Sequence, residues 1–306
     1  MRIKPKKENL ISWIQTYVPE KDLFFLSPEL IENAKTCIDV ILLPIDELYD
    51  HNTYGQIEYV NGYEYWNIKN ATHAVVADKS WIETLPVEEQ YKILSTQVKT
   101  ERGLTVPTEF IIDRLNEFPA NYIVNEHVVI QRQMWENLSQ SLKEYLLTNM
   151  VYEWWDKGDC EDVPEWLPSF LKRFANTFGS IHGANCFAAV VFSISEGQQE
   201  WFLYEWTQQK TFMRKLQQYN YIINHSTELQ KEDVVIWKDD QGFIQHAAYY
   251  LGEELFFNKH GQTIFNPWKL ISREELYKEW QDLTLEKYRK TVLVQKNINN
   301  CNSPLK

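Results

Sequence analysis

Apolar residues recur at helical spacing over positions 8–18 and 27–36, and the second of these stretches opens on Ser27-Pro28. A serine hydroxyl suits a helix cap and a proline suits the first helical position, so two helices are expected there. Runs rich in Ile, Val and Tyr at 37–43, 56–60 and 72–76 predict strands. Helical spacing returns at 87–98, behind Pro86, and at 108–116, closed by Phe118-Pro119. This first half is α+β, and it carries no repeat and no chemical motif.

Around 152–163 the chain becomes Tyr-Glu-Trp-Trp-Asp-Lys-Gly-Asp-Cys-Glu-Asp-Val, an acidic, glycine-containing stretch that marks a domain boundary near residue 150. Beyond it, the pattern predicts helices at 164–177, from about 186, and at 211–218. Strands follow at 233–237, 243–251, 255–258 and 263–265. Ser272-Arg273-Glu274-Glu275 has the form of a capping box and starts a last helix. A strand at 291–295 precedes a polar tail, 297–306, expected to be disordered. The expected layout is therefore an α+β domain over 1–150 and a second domain over 151–296 in which helices come first and antiparallel strands after.

Composition narrows the function classes. The 306 residues include 14% aromatics and 24% charged residues, enough apolar content for real cores. A net charge of −12 opposes attraction to nucleic-acid phosphates and to anionic membranes, so neither is an expected partner. The longest apolar runs fall well short of the roughly 20 residues that span a bilayer. The basic start, Met1 to Lys7, is followed by Glu8, Glu20, Lys21 and Asp22, unlike a signal peptide. Cys37, Cys160, Cys186 and Cys301 show no Cys-x-x-Cys spacing, which fits a reducing cytoplasm better than a disulfide framework.

The chemistry concentrates in two segments. Gly179-Ser180-Ile181-His182-Gly183-Ala184-Asn185-Cys186 is a turn of small residues that feeds an apolar helix with a cysteine in its first turn. Phe243 to Tyr250 is a strand with a lone imidazole at His246. A cysteine attacks as thiolate, and both a helix N-terminus and a neighbouring imidazolium favour that form. In a hairpin turning at Gly252-Glu253-Glu254, His246, Ala248 and Tyr250 share one face. A turn centred on Gly252 sets Asn258 across from His246, and a centre one residue further on sets His260 there; Lys259 points the other way. Ala248 leaves room for the Cys186 helix on the His246 face. Cys186 is then the nucleophile, His246 the base, and Asn258, or alternatively His260, the group that orients the ring. The Cys186 backbone N–H contributes to an oxyanion hole, and His182 is a possible further donor there.

Asp233-Val-Val-Ile-Trp237, His246-Ala-Ala-Tyr-Tyr-Leu-Gly252 and Asn258 resemble the NlpC-type branch of the papain-like cysteine hydrolases. The resemblance covers about residues 180–268. It implies a papain-like α+β fold and a thiol hydrolase of amide bonds, typically in cell-wall peptides, with amidases, acyltransferases and thioesterases among the relatives. Two departures stand out. The nucleophile sits in Asn185-Cys186-Phe187-Ala188 instead of the branch's usual Asp-Cys-Ser-Gly, and the third position is Asn258 instead of His.

Other candidates are weaker. Asp159, Glu161 and Asp162 disfavour a Cys160 thiolate. Cys160, His182 and Cys186 match no standard zinc spacing, so no metal and no cofactor is expected. Glu253 and Glu254 point apart at a hairpin tip. The tryptophans, Trp154-Trp155, Trp166, Trp201, Trp206, Trp237 and Trp268 among them, are expected to fill the cores and the seam between the halves. The expectation is a cysteine peptidase or amidase acting on a peptide or small amide in a cleft between the halves. Acyl transfer through the same thiol and an inactive binding module of the same fold are the alternatives, and the oligomeric state is left open.

Overall fold

The alternation around Gly252 does form a hairpin, at the centre of the largest sheet. A computed structural model describes residues 3–34, 39–154 and 160–291. In chain order the strands are β1 (Asp22–Leu26), β2 (Ile41–Pro44), β3 (His73–Ala77), β4 (Thr105–Pro107), β5 (Ile123–Val124), β6 (His127–Val129), β7 (Tyr221–Ile223), β8 (Val234–Lys238), β9 (Ile244–Gly252), β10 (Leu255–Lys259), β11 (Trp268–Ser272) and β12 (Thr284–Lys290). They form two three-stranded sheets, β1-β3-β2 and β4-β6-β5, and a six-stranded sheet, β11-β10-β9-β8-β12-β7. All the pairings are antiparallel, so the fold is α+β.

Two apolar cores flank the cleft described below. The first gathers β1, β3, the helix Val87–Lys99 and the inward face of the helix Gln140–Trp154, and it also takes in Phe178, Ile264 and Phe265 from the second half of the chain. The second lies between the six-stranded sheet and the wholly buried helix Cys186–Ile194. A smaller cluster on the sheet's other face is closed by the helix Arg273–Glu279, whose Ser272 cap accepts from the Glu275 N–H.

Most of the predicted elements appear within a few residues. Four do not. Residues 56–60 are not a strand: Ile57–Gly62 is a helical turn, because Asn61 and Gly62 are buried there, with Asn61 Nδ2 donating to the Gln262 carbonyl (2.9 Å) and Gly62 against the Pro19 ring. That packing overrides a β preference that only describes fit to a pleated surface. The segment 108–116 is 3₁₀ helix, Thr108–Glu117, with non-helical backbone at Ile111 and Arg114. Of 164–177 only Ser169–Lys172 is α-helical, starting behind Pro168. Residues 263–265 belong to a turn in which Asn266 Oδ1 accepts from the Thr263 hydroxyl (2.6 Å), and the strand comes later as β11. The strand expected at 291–295 falls mostly outside the described residues, as do Cys37, Cys301, Trp155 and the tail. Among the described residues no helix is long and apolar enough to cross a membrane.

Candidate functional site

Cys186 is the first residue of its helix. Asn185 caps it, accepting from the Ala188 N–H (3.1 Å) and donating through Nδ2 to the Thr207 carbonyl (2.9 Å). Asn185→Ala is expected to lower stability by about 1 kcal/mol, the usual worth of such a cap. The measurement is the urea midpoint, and an unchanged midpoint would refute the cap's contribution.

The turn ahead of the helix is held from the first half of the chain. Trp13 Nε1 donates to the Gly179 carbonyl (2.8 Å), and the Ser12 hydroxyl donates to that of Ser180 (2.8 Å). Gly183 sits at φ 128°, with the Tyr204 carbonyl oxygen 3.1 Å from where a Cβ would stand, so a side chain there would meet both strain and a clash.

The helix body rests on Ala247, Tyr249 and Phe257. Ala248, Tyr250 and Phe256 face the opposite side, against Leu276 and the partly buried Tyr277 and Trp280. The expectation that the Cys186 helix packs on the face shared by His246, Ala248 and Tyr250 is therefore corrected: Ala247 is the small residue that admits the helix, and the His246 ring lies on the other face, with Trp237 and Trp280. Backbone N–H groups of Ala247, Phe187 and Cys186 favour the thiolate form of Cys186, which sets the sulfur near the strand.

The hairpin turn has Glu253 and Glu254 in the left-handed region (φ 51° and 59°), as a two-residue I′-type turn requires. A bulge at Leu255/Phe256 then shifts the register, so that Phe256 pairs with Tyr250 and Phe257 with Tyr249. Continued, that register sets His260 opposite His246, and the two rings stand edge to face at 5.2 Å. Asn258 is the diagonal neighbour, and its Nδ2 lies 3.4 Å from His246 Nε2. Both orienting candidates thus reach the ring. His260 Nδ1 also lies 3.0 Å from the Glu279 carboxylate. Asn258 Oδ1 is buried with no hydrogen-bond partner among the described residues. A half-turn of this amide exchanges donor for acceptor, so Asn258 can serve either protonation state of the ring. Trp280 stacks flat on His246 at 4.6 Å, fixing its plane.

Cys186, His246, Lys259 and His260 line one cleft of about 770 Å³. Val60, Glu64, Trp66 and Asn67 of the first half form its facing wall, joined by Trp206 and Trp280. Trp237 and Trp268 are buried as expected, but Trp166, Trp201 and Trp206 are exposed, and Trp206 borders the cleft instead of filling a core. Glu64 has φ 50° and accepts from Asn67 Nδ2 (2.7 Å), and burial pushes its carboxyl up to about 7. Nothing in the local pattern of Glu64, Trp66 or Trp280 signals a site, since each arrives from a distant element. His182 is not part of the cleft lining; it is buried, and desolvation together with the Lys259 charge pushes it down to about 3, so it is neutral. Cys160 lies in the other core.

Burial pushes the Cys186 thiol up to about 11, against the pull of the three N–H groups and of Lys259. The helix N-terminus therefore acts on the sulfur in the expected direction without overcoming desolvation. Lys259, fully buried on the helix-facing side of β10, is pushed down to about 7. No family model, curated protein or solved structure matches the chain.

Proposed function

We propose that the chain is a cysteine-nucleophile hydrolase of amide bonds, with a papain-like, NlpC-type second half whose cleft is completed by the first. The observation that carries this reading is that Cys186 and His246 line one cleft. It brings a thiol at a helix N-terminus and a histidine within reach of Asn258 to the wall of a cleft large enough for a peptide-sized ligand.

In the proposed reaction, Cys186 Sγ attacks the amide carbonyl carbon while His246 takes the thiol proton. The backbone N–H at the start of the helix stabilises the oxyanion. Collapse of the tetrahedral intermediate breaks the C–N bond, and His246 returns the proton to the departing amine. Water, deprotonated by His246, then cleaves the acyl-thioenzyme to a carboxylic acid and the free thiol. Because burial keeps the resting thiol protonated, proton removal is concerted with attack instead of preceding it.

Incubation of the intact protein with short acyl-amide and cell-wall-type peptides, followed by mass spectrometry, is expected to show the acyl group on Cys186. Turnover products should shift from acid to new amide only if an added amine intercepts the thioester, which divides hydrolysis from transfer. A Cys186 that carries no acyl group with any such substrate, and stays inert to thiol-directed probes, would sink the proposal. Asn258→Ala is expected to lower kcat by about tenfold to a hundredfold, less than the roughly 10²–10⁴ carried by the base. An unchanged kcat in the folded variant would remove Asn258 from the mechanism.

A further inference from the structure

Trp66, Trp206 and Trp201 take no part in the proposed chemistry, yet they stand open to water along one path. Trp66 (49% exposed) and Trp206 (46%) both line the cleft. A second pocket, of about 260 Å³, shares Trp206 with the cleft and adds Trp201 (59% exposed), whose ring rests on Phe202 with centroids 4.1 Å apart. Indoles gain from burial, so neighbouring indoles left this open mark a contact surface. The second pocket also carries Thr207, which is 2% exposed and whose Oγ1 has no hydrogen-bond partner among the described residues. Its carbonyl accepts from Asn185 Nδ2 (2.9 Å), which fixes the residue to the cap of the Cys186 helix. A buried hydroxyl without a partner costs free energy that a ligand's polar group recovers. Beside Trp66, the Glu64 carboxylate and the Asn67 amide are held together at 2.7 Å, and both line the cleft.

We propose that Trp66, Trp206 and Trp201 form a carbohydrate subsite: the amide that enters the cleft is carried on a short chain of uncharged sugar rings, which runs outward over Trp206 and Trp201. A sugar ring has apolar C–H faces and a rim of hydroxyls. The faces suit the indoles, and the hydroxyls suit Thr207 and Gln208 in the second pocket and Asn67 in the cleft. Other ligand classes fit less well. The net charge of −12, with Glu205 in the second pocket, repels a polyanion. The second pocket is built from the 3₁₀ helix Glu200–Tyr204, the link after it and the start of the helix Gln209–Gln218, so an extended peptide finds no strand edge to pair with there. The inference rests on the hydrolase reading in naming what carries the amide, whereas sugar binding itself does not depend on Cys186.

The test follows the indole N–H resonances of the intact protein, labelled with ¹⁵N at tryptophan, while maltotetraose, cellotetraose or the N-acetylglucosamine tetramer is added. Additions up to about 10 mM reveal a Kd of order 1 mM. At least one of these sugars is expected to shift the signals of Trp66, Trp206 and Trp201 saturably. Trp206→Ala should weaken that binding about tenfold or more, and Thr207→Val about threefold or more. The signals of the buried Trp13 and Trp135 report that each variant is folded. A folded Trp206→Ala protein with the parent's affinity overturns the proposal, and so does the parent if none of these sugars moves the three signals. An equal shift of Trp206 and Trp201 by a sugar-free acyl-amide peptide overturns it too, since the path then belongs to peptide. Acylation of Cys186 is read separately. Cys186 that is acylated in a protein that binds no sugar defeats this inference alone, and sugar binding beside an inert Cys186 upholds the subsite while defeating the hydrolase reading.

Discussion

Cys186→Ala is expected to abolish turnover, with kcat falling by about 10³-fold or more, while the protein stays folded. The size follows from what the sulfur does in the proposed reaction. Without it there is no acyl intermediate, and only binding and the backbone N–H donors are left to assist direct attack by water. The fold is retained because alanine keeps the helix start and its Asn185 cap, and the neighbouring residues Ala188 and Ala189 are already small and buried. Activity on the substrate identified by acyl trapping is the readout, with the urea midpoint as the control. A folded Cys186→Ala protein that retains parent activity would leave no thiol mechanism to defend.

Lys259→Met is expected to make the protein more stable in mild acid and to lose that advantage in base. The sign follows from the lowered lysine. Between about 7 and 10.5, the unfolded chain binds a proton that the folded chain does not, so parent stability rises with pH through that window. Below about 7 the folded lysine is charged and the desolvation penalty is present in full. Methionine removes that penalty but deprives the Gly261 and Thr263 carbonyls of their donor, at about 1 kcal/mol each. The net expectation is a gain of about 2–3 kcal/mol below neutrality, shrinking and changing sign toward the ordinary lysine range. Urea unfolding at the two ends of the window measures it. A stability difference independent of pH would show that the amine is not held near neutrality by burial.

The elements around the site were largely legible. The small-residue turn before Cys186, the asparagine at its cap and the alternation through His246 are local signals, and each yields the predicted element. Register was open between two choices, and a bulge at Leu255/Phe256 decided it. The bulge sets His260 opposite His246 by register yet leaves Asn258 at hydrogen-bond distance, so the two alternatives proved to be neighbours of one ring. The face was misassigned, since Ala247 and Ala248 are identical side chains and only packing distinguishes them. Lys259 was correctly placed on the other side from Asn258. Its importance was missed because that other side is the one the helix covers.

The sequence alone determined the period of each segment, the thiol at a helix start, the imidazole on a strand and the surplus of negative charge, because these depend on residues a few positions apart. Tertiary structure alone decided which side of the sheet the helix buries, that Glu64 and Trp66 line the cleft, and that Lys259 is sealed from water with its Nζ on two carbonyl oxygens. Period-two alternation sorts side chains into two sets, but only the closing of distant segments on one another determines which set is sealed from water, and burial then sets the charges.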